Sequence, residues 1–142
     1  MAIGSIGVRT QNLTITQSSL EIRTTAAVRA TVLEVSLIQA TATAQSLGLG
    51  RPQALGVTPG TTSTFQREEP GAPVCVTTTA LTWATSPTVP LVFFRRWNSA
   101  ATIGVGMMWL FPRGLVIPVS GSLVLWNITT ALACDVNIVL DE

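Results

Sequence analysis

Two arginines and a tryptophan stand side by side at Arg95-Arg96-Trp97, and another arginine, Arg113, lies between Pro112 and Gly114 in "FPRGLVIPVSGSLVLWN". Only 11% of the residues are charged, so these side chains hold much of the chemistry available. A guanidinium offers five N–H donors and a permanent charge, which suits carboxylates, phosphates and carbonyls but not proton abstraction. The groups that catalysis would add are missing or badly spaced. Without His there is no Ser-His relay and no imidazole metal ligand. Cys75 and Cys134 match no metal spacing. Each sits in a β-rich run and reads as a small buried hydrophobe, a disulfide being the alternative.

The acids point the same way. Glu68 and Glu69 are adjacent in a Pro-Gly turn and cannot face each other across a cleft. Glu34 and Asp135 fall on the polar side of alternating segments, and Asp141 and Glu142 are the last two residues given. "GLGRP" and "GVTPG" lack the Lys-Ser/Thr of a phosphate loop. The sequence predicts no catalytic residue, no metal and no cofactor, hence no enzyme.

The elements that would position the arginines are strands. On a strand, neighbouring residues point to opposite faces, so Arg95 and Arg96 must separate. One is expected on an exposed or intersubunit face, the other along the sandwich edge with its stem on apolar groups. Arg and Trp are enriched at interface hot spots, which makes Arg95, Arg96, Trp97 and Arg113 candidate interface residues. The competing reading is a surface ion pair beside a core Trp. Pro112 and Gly114 are expected to turn the chain between two buried strands. Arg113 then either bonds loop carbonyls or meets a neighbour's carboxylate, Asp141 or Glu142.

Period-two alternation recurs along the chain. "LEIRTT", "TVLEVSLIQ" and "DVNIVLDE" alternate, while "VGMMWLFP" and "SLVLWN" are apolar on successive positions, as in strands covered on both faces. A helical stripe from Ala26 to Leu47 competes, but β-branched content favours strand. "VCVTTTALTWA" and "LVFFRRWN" add two strands, and the turn-rich 46–73 segment adds short ones joined by exposed loops. The expected fold is all-β: about eight antiparallel strands in a β-sandwich or jelly roll over residues 19–142, as a single domain. Residues 1–18 read as an extended N-terminal arm, disordered or ordered on a neighbour.

Eight arginines, no Lys and seven acids leave a net charge of +1, without the basic stripe of a nucleic-acid binder. No basic residue precedes an apolar stretch at the amino terminus, so no signal peptide is read. Two long uncharged runs are broken by Pro, Gly and Thr and read as successive strands rather than membrane spans. With 47% hydrophobic residues, such a surface is short of solubilising charge and calls for cover by copies of itself or a partner.

The run from "LVFFRRWN" through "WLFPRGLVIP" and "SLVLWN" to "VNIVLDE" resembles small proteins of tailed-phage genomes and prophages, as does "LEVSLIQATATAQSLGLGRPQALGVTP". The resemblance spans most of the chain after about residue 20 and is a pattern of strand and turn residues, not an active-site motif. It implies a capsid cement or decoration protein on the virion surface, assembled in the host cytoplasm. The implied partners are the major capsid protein and other copies of the chain, as a homotrimer or a dimer. A neck, tail or fibre component is the first alternative. A carbohydrate-binding jelly roll for host attachment, with Trp97 or Trp109 as platform, is the second.

Overall fold

The computed structural model describes residues 2–13, 16–129 and 132–142. These residues form two antiparallel sheets in a sandwich-like arrangement, with no helix among them. In chain order the strands are β1 (Ile3–Arg9), β2 (Ser18–Arg23), β3 (Ala30–Gln39), β4 (Ser46–Gly50), β5 (Val57–Thr64) and β6 (Gln66–Arg67). They continue as β7 (Thr78–Thr85), β8 (Phe93–Asn98), β9 (Gly106–Ile117), β10 (Ser122–Asn127) and β11 (Cys134–Asp141). One sheet has the order β6-β1-β11-β3-β9, the other β5-β7-β2-β10-β4-β8. The all-β reading holds, with eleven strands in place of about eight. The segment read as helix or strand is strand over Ala30–Gln39 and Ser46–Gly50.

Alternation explains the core. Val32, Val35, Leu37, Val136, Ile138 and Leu140 of one sheet meet Leu20, Ile22, Leu47, Leu49, Leu123 and Leu125 of the other. The central strand β10 is buried on both faces, as its unbroken apolar run predicts. The accessible surface, 6857 Å², is close to the roughly 7,000 Å² of a compact monomer of this mass.

The amino-terminal segment departs from the expected arm. Ile3–Arg9 pairs with β11 along its length, Ile6 facing Ile138, and with β6 on its other side. Leu13 packs against the core; positions 1, 14 and 15 lie outside the described residues. The core side of β1 is Ala2, Gly4, Ile6 and Val8, a small-residue face easily mistaken for polar linker. Gly4 is small because a Cβ there would meet the Cys75 sulfur.

The second departure is at Pro112–Gly114, which does not turn the chain. β9 runs straight through, and Leu33 of β3 faces a four-residue bulge between the pairs Val32–Leu115 and Glu34–Leu110. Gly114 has φ +70°, and a Cβ on it would collide with Thr31. The crossing to the other sheet comes at Pro118–Gly121, where Gly121 N–H donates to the Pro118 carbonyl and the Thr24 hydroxyl donates to the same oxygen. Cys75 and Cys134 are both free and buried.

Candidate docking surface on the open side of the sandwich

β8 ends the six-stranded sheet and β9 the five-stranded one, so the gap between them is an open side of the sandwich. Arg95 faces Leu49 across the β4–β8 pair and lies over the Phe111 ring of β9, 5.3 Å from its centre. Arg96 faces Gly48 and lies over Phe93, at 5.8 Å. The two arginines separate to opposite faces as strand geometry requires, one closing the sandwich edge and one lying outside. Arg51, just beyond β4, spans the same gap: it donates to the Val116 carbonyl at 2.7 Å and covers Phe94 at 4.8 Å. Nothing in "GLGRP" marked that role, because the partner carbonyl is 65 residues away.

Arg113 stands exposed on the β9 bulge and shares a cleft of about 340 Å³ with Arg95, Phe111, Pro112 and Gly114. It meets no carboxylate among the described residues, where the ion pairs are Arg9–Asp135 and Arg23–Glu21. Glu142 is already engaged within the chain, accepting from the Val76 and Thr77 N–H groups at 2.8 Å. Trp97 is half-buried against the core and is not brought to the Arg95–Arg113 cleft.

Around the arginines the surface is apolar. Leu91 and Val92, leading into β8, are 81% and 72% exposed, and Met108 and Leu110 on the outer face of β9 are 54% and 58% exposed. β9 was expected to be covered on both faces. Its inner face is, through Trp109 and Phe111, but its outer face and free edge are open. An edge carrying outward hydrophobics is a template for association, blunted here by the bulge, Pro112, Arg113 and the Arg51 bond to the Val116 carbonyl.

Other places carry less. A cleft of about 520 Å³ runs along β1, β11 and the end of β5, and no titratable side chain lines it. Among the described residues no three of His, Cys, Asp and Glu come together to hold a metal ion, and no helix could cross a membrane. Glu21 is fully buried but fully engaged: it accepts from the Trp83 indole at 2.7 Å and the Gly56 N–H at 3.3 Å, with Arg23 at 3.5 Å. Burial pushes the Cys134 thiol up to about 11, and Cys75 is raised for the same reason, so neither is an activated nucleophile.

No family model, no curated protein and no solved structure matches the chain.

Proposed function

We propose that the protein is a capsid cement protein of a tailed phage, binding the outer surface of the head and bridging major capsid subunits. The observation that carries this is β9: a strand apolar on both sides whose outer face and edge are left open on an otherwise compact body. A cement protein needs such a body, with contact surfaces facing more than one neighbour. Further exposed hydrophobics, Ile103, Val119, Val74 and Val76, are spread over other loops. Modest contacts of this kind add by avidity over a lattice. The phage-like pattern of the sequence supports the same reading.

Quantitative protein analysis of purified virions tests it. The expected copy number is near that of the major capsid protein; about a dozen copies would overturn it in favour of a neck, tail or fibre part. The glycan-binding reading has no observation in its favour, since Trp109 is 6% exposed and Trp97 packs on the core, so neither presents a free platform.

A further inference from the structure

The charges are sorted along the five-stranded sheet. At its β9 end, together with the adjoining β8 edge, stand Arg51, Arg95, Arg96 and Arg113, with Glu34 alone opposing them beside Leu110. At its β6 end stand Glu68 and Glu69, with Arg67 alone opposing them, while Asp141 lies on the central strand β11 and Glu142 follows it, held by the Val76 and Thr77 N–H groups. The β9 end is thus net positive and the β6 end net negative. Asp135 and Glu21 are taken by Arg9 and Arg23.

The acidic end also has a receptacle. Glu68 and Glu69 line a cleft of about 330 Å³ with Ile3 and Ala72, shaped by the Glu68 N–H bonded to the Ile3 carbonyl and by Arg67 donating to the Ala72 carbonyl. Exposed Ile3, Val74 and Val76 flank it, as Met108, Leu110 and Pro112 flank Arg113. Four strand spacings separate the ends, about 19 Å and beyond a Debye length at physiological salt. Arg113 therefore cannot satisfy Glu69 within one chain.

We infer that copies of this chain dock head to tail, the Arg113 bulge and β9 face of one copy seated in the Glu68–Glu69–Ile3 cleft of the next. The contact is heterologous, each copy offering one basic-apolar and one acidic-apolar surface, so it closes into a ring if the rotation permits and otherwise extends. It adds a defined self-contact to the cement reading and uses isolated protein for its test. Failure here leaves the shell reading standing, and absence from virions leaves the self-contact standing.

The test is association of the full chain at low salt, followed by sedimentation or native mass spectrometry. Wild type is expected to form oligomers, and Arg113→Glu and Glu69→Arg each to weaken association by about tenfold or more, since they set like charges face to face. A one-to-one mixture of the two variants is expected to reassemble, because each broken surface meets its complement, with an even number of copies per closed ring. A monomeric wild type, reversals without effect, or folded variants that do not reassemble on mixing would each overturn the inference. Should a reversal variant fail to fold, Arg113→Gln and Glu69→Gln replace the pair, and association unchanged from wild type in both would overturn it equally.

Discussion

Burying a carboxylate costs several kcal/mol unless its oxygens are met, and Glu21 meets that demand with an indole N–H, a backbone N–H and a guanidinium. Its partners come from β7, from the loop before β5 and from β2 itself, so one side chain fastens that loop across the sheet. Glu21→Ala leaves the Trp83 N–H unpaired and is expected to cost about 3 kcal/mol, read as a lower urea midpoint at unchanged slope. A second expectation concerns pH. The Cys134 thiol, ordinarily 9.0, is raised to about 11 by burial, so folding favours its protonated form. Its contribution is complete below about pH 9 and is lost as pH rises from there to about 11, some 2–3 kcal/mol in all. The chain has no Lys and no Tyr, so the other side chain that titrates near that window is Cys75, whose thiol burial also raises. Urea titrations at rising pH should show the decline, and Cys134→Val should reduce it, leaving the part due to Cys75. At this scale the sequence was readable where strand alternation alone decides, as for Arg95 and Arg96. It was silent on Arg51 and Glu21, whose partners are set by tertiary contacts.

At the scale of elements, alternation located β2, β3 and β11, because one buried face per strand writes itself as period two, and an unbroken apolar run located β10. β1 was hidden by its small inner face, Ala2 and Gly4, where Phe65 and Cys75 supply the bulk instead. β9 was divided in two because Pro112 and Gly114 spell a turn locally. A bulge uses the same residues, and only the pairing with β3 on both sides of it distinguishes the two. The candidate surface was therefore only half legible: its arginines stood out, but its edge did not. β1 carries an expectation of its own. Removing residues 2–9 would expose the edge of β11 and uncover core packed by Ile6 and Val8, so the truncated protein should lose its cooperative thermal transition. A truncated protein that melts like the full chain would show that the segment is a dispensable arm after all.

At the scale of the whole molecule, low charge and high apolar content were the most informative features, because they require that surface be covered by something. The charges that remain differ in sign between the β9 and β6 ends, which a net value of +1 conceals. Head-to-tail association driven by them should weaken steeply with added salt, whereas contacts made by Met108 and Leu110 alone would not. Pairing of the earliest strand with the latest, β1 with β11, has a different consequence, one for biosynthesis. While the chain is being made, β1 has no long partner, and β11, which joins it to β3, is synthesised after every other strand. The five-stranded sheet cannot close before residues 134–141 are made: until then β3 has only β9 beside it and β1 only the two residues of β6. Such a chain folds late and on the slow timescale of non-local sheets, and it is most exposed to misassembly before its own first and last strands have met.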